Sequence, residues 1–182
     1  FLLFFLIFIN IFFSENSQKG FNDWLINYKK YALTKNISQK TIDLAFQNVQ
    51  YLEQVIKYDR KQPEFYEDTA TYVKKRASIS RVNKAKNLLK KNKNLFIKVE
   101  QEFNVEKEIL LSLWGIETNF GKHVGKMDIV SSLATLSYDK RRSEFFSKQL
   151  IVLLNLVDRE LIDPSTLYGS WAGAFGNFQF MP

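Results

Sequence analysis

The stretch ILLSLWGIETNFG (109–121) places one carboxylate at the end of an apolar helical pattern. Four residues at offsets of three, four and seven share one face of the predicted helix: Leu110, Leu113, Trp114 and Glu117. Glu117 therefore continues the apolar face near Gly121, at the carboxyl end of the helix, where the helix dipole disfavours negative charge. Burial and dipole together predict a raised pKa for Glu117, which a general acid needs at neutral pH. The alternative is a rim glutamate that reaches water or pairs with Lys122 or Lys126.

The end of the chain, GSWAGAFGNFQFMP (169–182), holds three of the seven glycines, alternating with aromatic residues. Glycine at this density permits close backbone approach or positive φ, and the aromatic rings offer flat apolar faces for stacking or packing. Ser170, Asn177 and Gln179 add uncharged hydrogen-bonding groups. The segment suits a neutral, hydroxyl-rich ligand, although a tightly packed helix junction has a similar composition.

The remaining sequence is dominated by helical periodicity and shows no convincing strand. Further helices are predicted over 21–33, 39–50, 80–102, 128–138 and 142–161, and the spacing of apolar residues in 65–76 suggests another. The absence of cysteine excludes disulfides, thiolate zinc sites and a cysteine nucleophile, and a single histidine, His123, excludes a histidine-rich metal cage. The composition therefore predicts a mainly α protein.

Positive charge is concentrated in residues 57–98, which hold 13 Lys and Arg against 4 Asp and Glu. Such a block suits a polyanionic partner, such as a nucleic acid, an anionic membrane or an acidic polymer. A solvated helix face is the simpler interpretation. Nothing in the glycine-rich end of the chain resembles a motif that reads a nucleic-acid groove, and export argues against such a role, so we expect no nucleic-acid partner.

The first residues, FLLFFLIFINIFF (1–13), are apolar except for Asn10 and too few to span a bilayer, which needs about 20 residues. Their position and the abrupt polarity after Ser14 are typical of a secretory signal. We therefore expect residues 1–18 to be the remnant of a signal peptide or anchor, and the protein to be exported to a periplasm. A retained segment would attach it to the inner membrane.

Three blocks resemble the lytic murein transglycosylase B family, which cleaves the glycan of bacterial peptidoglycan: WGIETNFG (114–121), LATLSYDKRRSEFF (133–146) and the glycine-rich end (169–182). The resemblance implies a mainly α fold of the α+β lysozyme superfamily, with a lysozyme-like helical catalytic domain over residues 19–182. The family's domain continues well beyond Met-Pro, so we expect its C-terminal part to be missing here.

The resemblance also assigns the catalytic group. Glu117 matches the family's single acid/base, while Ser170 and Gln179 match polar residues that line the cleft beside it. Ser170 would help to hold a reacting group or water, and Gln179 would hydrogen-bond the sugar. No metal or organic cofactor is implied.

Other positions of the resemblance concern the edges of the cleft. Phe145 falls near a position where an aromatic ring can flank the glycan. Arg141 and Arg142 match an arginine pair that could meet the carboxylates of the stem peptide, with a structural salt bridge as the alternative. His123 matches nothing catalytic and is interpreted as a loop residue.

The family chemistry breaks the bond between N-acetylmuramic acid (MurNAc) and N-acetylglucosamine (GlcNAc) and closes a 1,6-anhydro ring on MurNAc. The expected partner is therefore the peptidoglycan glycan strand. Two alternatives stay open, namely an inactive peptidoglycan-binding fragment and a lysozyme-type hydrolase with a second carboxyl group. The nearest candidates for that carboxyl group are Asp128, Asp139 and Glu144.

Overall fold

The computed structural model describes residues 18–61 and 68–182. The first seven helices in that part are α1 (Gln18–Thr34), α2 (Gln39–Ala45), α3 (Glu53–Arg60), α4 (Thr69–Arg76), α5 (Ile79–Lys91), α6 (Lys93–Phe103) and α7 (Lys107–Thr118). They are followed by β1 (Met127–Asp128), α8 (Ile129–Tyr138), α9 (Ser143–Asp158), a 3-10 turn (Pro164–Thr166) and β2 (Tyr168–Gly169). The predicted leader, residues 1–18, lies outside the described residues except for Gln18.

Helix α8 is the centre of the fold, because every residue from Ile129 to Ser137 is buried. It packs against α1, α3 and α9. A buried helix must satisfy its polar side chains internally. Ser131 Oγ accepts from the backbone N–H of Gln50, and Thr135 Oγ1 accepts from that of Leu52, both at 3.0 Å. These hydroxyls therefore fix the connection between α2 and α3 on the central helix.

The buried apolar side chains form two clusters of unequal size. The larger, here called the main core, is built from α1, α2, α8 and α9, with Val55 of α3 and with Ile37 and Phe46 beside α2. The smaller, the satellite cluster, consists of Phe96, Leu111 and Phe120. It lies where α7 packs against α5 and α6. The helix that carries Glu117 is therefore supported by the smaller cluster.

Three expectations about local structure need correction. The helix predicted over 80–102 is two helices, interrupted at Asn92, whose side chain donates to the carbonyl of Leu88 at 3.0 Å. The helix predicted over 39–50 ends at Ala45. Strands do occur, but each has two residues. They pair antiparallel, with Met127 opposite Gly169. This short ladder joins the loop after α7 to the glycine-rich end of the chain.

Within the described part of the chain, none of the helices combines the length and the apolar character that crossing a bilayer requires.

Candidate active site

Glu117 lies in the last turn of α7 with its side chain exposed, so the prediction that apolar neighbours bury it is wrong. The buried face of α7 is Leu111, Gly115 and Thr118, rotated away from the predicted stripe, and Leu113 of that stripe is 43% exposed. A Cβ at Gly115 would lie 2.8 Å from the ring of Phe120. Because glycine admits this ring, the Gly115 face turns inward and Glu117 turns outward, as in the alternative of a rim glutamate.

A left-handed turn directly follows Glu117 and Thr118. Asn119, Phe120 and Gly121 have φ values of 51°, 61° and 78°. The turn folds the Phe120 ring back onto α7, edge-on to Trp114 with 5.7 Å between ring centroids. His123 lies in the loop beyond the turn, as expected, and its backbone N–H donates to the carbonyl of Thr118 at 2.9 Å. The acid is thus placed at an abrupt and well-fixed end of the helix.

The glycine-rich end (169–182), here called the tail, packs on the main core and also contacts the end of α7. Trp171, Phe175 and Met181 lie against the main core. The hydroxyl of Thr118, a fully buried residue, donates to the carbonyl of Asn177 at 2.8 Å. The structure therefore brings the helix that carries Glu117 together with the tail, two segments that are separate in the sequence.

The expected close approach of the tail backbone is confirmed at Gly173. Its φ is 92°, and a Cβ there would lie 2.3 Å from the side chain of Leu133 in α8. Any other residue would be strained in φ and would also clash with the central helix. The tail is therefore fixed directly on the most buried element of the fold.

Ser170 and Gln179 both have hydrogen bonds within this region. Ser170 Oγ accepts from the backbone N–H of Ala174 at 3.1 Å, so its own proton remains as a donor. Gln179 Nε2 donates to the carbonyls of Val124 at 3.1 Å and Gly176 at 2.8 Å. Its amide oxygen takes no part in these two bonds and can accept from a ligand. The roles assigned to both residues stay predictions.

Arg141 and Arg142 both donate to Asp59, a residue that is only 2% exposed. The distance from Arg141 Nε to Asp59 Oδ2 is 2.7 Å. Burial alone would raise the pKa of Asp59, but the hydrogen bonds from the two arginines outweigh it and hold that pKa below its ordinary value. The arginine pair therefore forms the structural salt bridge that was the alternative interpretation. Its contact with the carboxylates of the stem peptide stays a prediction.

Phe145 is next to this ion pair in the sequence and is 46% exposed. Its ring meets Phe146 edge-on, with centroids 5.1 Å apart. Phe146 is buried in the main core and holds the base of the exposed ring in place. A half-exposed aromatic ring can stack on a sugar. The predicted contact of Phe145 with the glycan stays a prediction.

Comparison with known proteins gives the family. The family described as "Transglycosylase SLT domain" matches residues 20–182. The chain belongs to this transglycosylase family. It is 45% identical to the membrane-bound lytic murein transglycosylase B of Escherichia coli K12 over 83 residues, which are 45% of this chain and 23% of that protein.

Solved transglycosylases share the fold. SltB3 from Pseudomonas aeruginosa, in complex with NAG-NAM-pentapeptide, matches with a TM-score of 0.83 and 34% identity over 88% of this chain and 43% of that chain. The Escherichia coli lytic transglycosylase Slt35, in complex with bulgecin A, matches with a TM-score of 0.74 and 28% identity over 86% of this chain and 51% of that chain. The lysozyme-like helical fold expected from the resemblance is confirmed, and the chain spans about half the length of these proteins or less.

Two parts of this candidate site could not be found from the sequence motifs. One is the pairing of Asn177 with α7, and the other is the ion pair of Asp59 with the arginines. A partial signal exists for the first, because the indole N–H of a packed tryptophan such as Trp114 needs an acceptor. The choice of acceptor depends on tertiary contacts, which periodicity does not report.

Proposed function

We propose that this transglycosylase domain cleaves the β-1,4 bond between MurNAc and GlcNAc in peptidoglycan and leaves a 1,6-anhydro ring on MurNAc. The observation that carries the proposal is the position of Glu117, exposed at the end of α7 in a segment bonded to the tail. The relatives support the choice of substrate, since SltB3 is solved with NAG-NAM-pentapeptide and also with NAG-anhNAM-pentapeptide. The first ligand carries NAM as the proposed substrate does, and the second carries the anhydro form as the proposed product does.

In the proposed reaction Glu117 acts first as an acid and then as a base. Its carboxyl proton passes to the glycosidic oxygen as the bond from that oxygen to MurNAc C1 breaks, which frees the 4-hydroxyl of GlcNAc. The resulting carboxylate then takes the proton of the MurNAc C6 hydroxyl while O6 bonds to C1. One carboxyl group suffices because the nucleophile belongs to the substrate and is already held close.

The environment that favours a protonated acid comes, in this proposal, from the bound glycan rather than from the protein core. Glu117 is exposed in the free protein, so a sugar strand that lies over the end of α7 would displace the surrounding water. The tail supplies uncharged groups on the other side, through Ser170 and Gln179. The acid and the sugar-binding groups therefore belong to different segments that meet at one place.

The three candidates for a second carboxyl group already have structural partners, which favours a single-acid reaction over a lysozyme-type hydrolysis. Asp128 Oδ1 accepts from the Ser131 N–H at 2.6 Å and caps α8. Asp139 accepts from Arg60 at 2.8 Å, and Glu144 from Lys148 at 2.7 Å. Asp128, which caps a helix, and Asp139, which is buried in an ion pair, are poorly placed to activate water, whereas the pair of Glu144 with Lys148 is exposed and restrains that carboxylate little.

The deciding experiment is digestion of purified peptidoglycan with the natural full-length protein, followed by mass spectrometry of the muropeptides. We expect anhydro products, one water lighter than the products of a hydrolase. Glu117→Gln should lower turnover by at least about 10³-fold, because it removes the transferable proton, and should leave the melting temperature unchanged. Hydrated products would refute the transglycosylase reaction, and full activity of Glu117→Gln would refute the role of this residue.

The inactive alternative predicts binding without cleavage. A pull-down with insoluble peptidoglycan, run beside the digestion, separates the two: retention on the polymer with no released muropeptides would support a binding module. We expect retention and release together. Glu117→Gln is the matched control, since it should be retained on the polymer but release nothing.

We also propose that the protein acts in the periplasm, exported by the apolar residues 1–13. The basic residues of 57–98 would meet the carboxylates of the stem peptides there, with no role in nucleic-acid binding. Fractionation of cells that express the natural protein tests this placement. Recovery in the membrane fraction, released only by detergent, would indicate a retained anchor at the inner membrane.

A further inference from the structure

Asn177 is bonded to α7 on both sides of Glu117. Its side-chain Oδ1 accepts from the indole Nε1–H of Trp114 at 3.1 Å, and its carbonyl accepts from Thr118 Oγ1 at 2.8 Å. Trp114 is three residues before Glu117 and Thr118 is one residue after it, so both bonds hold the helical turn that contains the acid. We call this pair of hydrogen bonds the clasp.

We propose that Asn177 is a positioning residue for Glu117, which sets the distance between the acid and the sugar-binding groups of the tail through the clasp. This inference rests on the proposed function. It gives Asn177, one of the uncharged hydrogen-bonding residues of the tail, a role that acts through α7 rather than by contact with the reacting atoms.

The two segments joined by the clasp have different supports. Helix α7 packs on α5 and α6 through the satellite cluster, whereas the tail packs on the main core. Thr118 is fully buried where the two meet, and its hydroxyl also accepts from the Gly121 N–H at 3.0 Å. The clasp therefore crosses the boundary between two packing units, where a small relative shift would separate acid and sugar.

The turn after α7 has a shape that leaves room for the clasp. Gly121 has a φ of 78°, and a Cβ at this position would lie 2.9 Å from Asn177 Oδ1 and 3.6 Å from Trp114 Nε1. A Cβ here would force Asn177 Oδ1 to move, while its distance to Trp114 Nε1 is ordinary van der Waals contact. Glycine at this position therefore lets the turn pass close to the Asn177 side chain without displacing it.

Loosening the clasp should lower kcat more than it raises KM. The tail keeps its own sugar-binding groups and α7 keeps its acid, so binding survives while the alignment of the two is lost. A misplacement of about 1 Å can reduce turnover by up to about 10²-fold. A residue with only a structural role would instead lower the melting temperature, with normal kcat at temperatures where the protein is folded.

The test uses two matched pairs of variants in the natural full-length protein. Thr118→Val removes the buried hydroxyl at nearly constant volume, and Thr118→Ser retains it. Asn177→Ala removes the acceptor for the indole, and Asn177→Asp retains an acceptor of the same shape. We measure kcat and KM on soluble glycan strands well below the melting temperature. We expect Thr118→Val and Asn177→Ala to lose about tenfold or more in kcat with KM within about twofold, and Thr118→Ser and Asn177→Asp to recover most of it.

An NMR measurement that is independent of activity completes the test. The indole N–H of Trp114, assigned by the loss of its signal in Trp114→Phe, should exchange with solvent faster in Asn177→Ala than in wild type. Wild-type protein without turnover would overturn the proposed function and this role with it. Wild-type turnover with normal kcat in both Thr118→Val and Asn177→Ala, or a loss that Thr118→Ser does not recover, would overturn the positioning role alone.

Discussion

The main core and the satellite cluster differ sharply in how firmly they hold the segments of the site. Seventeen buried apolar side chains form the main core, against three in the satellite cluster, within the part of the chain that the structure describes. The main core surrounds α8 on all sides and fixes the tail, whereas α7 keeps the face with Glu117 open to solvent. The acid is thus carried by the lightly packed unit, and the residues expected to hold the sugar by the heavily packed one.

This difference indicates that the two units open with different free energies. Regions with few buried apolar contacts open locally at lower cost than the core, and elements that must admit a ligand tend to be drawn from them. A polymeric substrate needs an open face on the acid, while a sugar subsite needs a rigid floor. The division between the clusters is consistent with both requirements of the proposed function.

The largest expected effect compares the same substitution in the two units. Leu150→Ala in the main core, where the side chain is fully buried, should lower the free energy of unfolding by about 4 kcal/mol because the surrounding packing cannot collapse into the cavity. Leu111→Ala in the satellite cluster, where the side chain is 4% exposed, should cost about 2 kcal/mol. Urea unfolding measures both values, and equal losses would contradict the division into a strong and a weak unit.

The next effect concerns the ion pair that ties α3 to the start of α9. Asp59→Asn leaves Arg141 and Arg142, whose side chains are 44% and 39% exposed, facing a neutral amide, and we expect the loss of these charged hydrogen bonds to cost about 2 kcal/mol at neutral pH. Asp23→Asn, an exposed aspartate on α1, is the matched control and should change stability little. Urea unfolding at pH 7 measures the two. A cost no greater than that of the control would show that the arginines need no buried carboxylate.

The same pair has a definite pH dependence. Because the folded-state pKa of Asp59 lies below its ordinary value of 3.8, its contribution to stability is fully present above that value and is lost as the pH falls through the folded-state pKa. The stability difference between wild type and Asp59→Asn should therefore be constant above about pH 5 and shrink below about pH 4. If this stability difference grew on acidification, the folded-state pKa of Asp59 would lie above its ordinary value rather than below it.

The sequence predicts the main core better than the satellite cluster. The helices of residues 128–138 and 142–161 are found with close bounds. Ser38 caps α2, since its Oγ accepts from the Thr41 N–H at 3.2 Å. Long apolar runs and local caps determine these elements, so periodicity reports them directly. The break at Asn92 is missed because the apolar stripe continues in the same register on both sides of it.

The candidate site, like the fold, depends on contacts that local sequence patterns do not report. The motifs identify Glu117 and the tail, but the helical pattern around Glu117 places it on the buried face, because the pattern does not include the return of Phe120 onto Gly115. The partners of Arg141 and Arg142 are equally hidden, since Asp59 lies about 80 residues earlier in the chain. Local sequence thus reveals which residues carry chemistry, whereas their exposure and pairing depend on contacts between distant segments.

The smallest expected effect concerns the turn beside Glu117 and tests whether the satellite cluster opens independently of the main core. Lys84 of α5 donates to the carbonyl of Asn119 at 3.1 Å and lies over the ring of Phe120, 4.9 Å from its centroid. This exposed contact contributes about 0.5–1 kcal/mol. It supports the left-handed turn that carries Phe120 of the satellite cluster. Lys84→Met should therefore speed hydrogen exchange of the amides in 119–123, and global unfolding should be nearly unchanged.

Lys86→Met is the matched control, because Lys86 is an exposed lysine on the same helix and the substitution removes the same charge. If both variants behave alike, net charge rather than the contact with Asn119 and Phe120 accounts for the effect. If only Lys84→Met speeds exchange in the turn and the amides of α8 stay protected, the satellite cluster opens locally without the main core. The acid would then be held by local contacts of α5 and by the clasp, each of small energy, because the large core does not reach the face on which Glu117 lies.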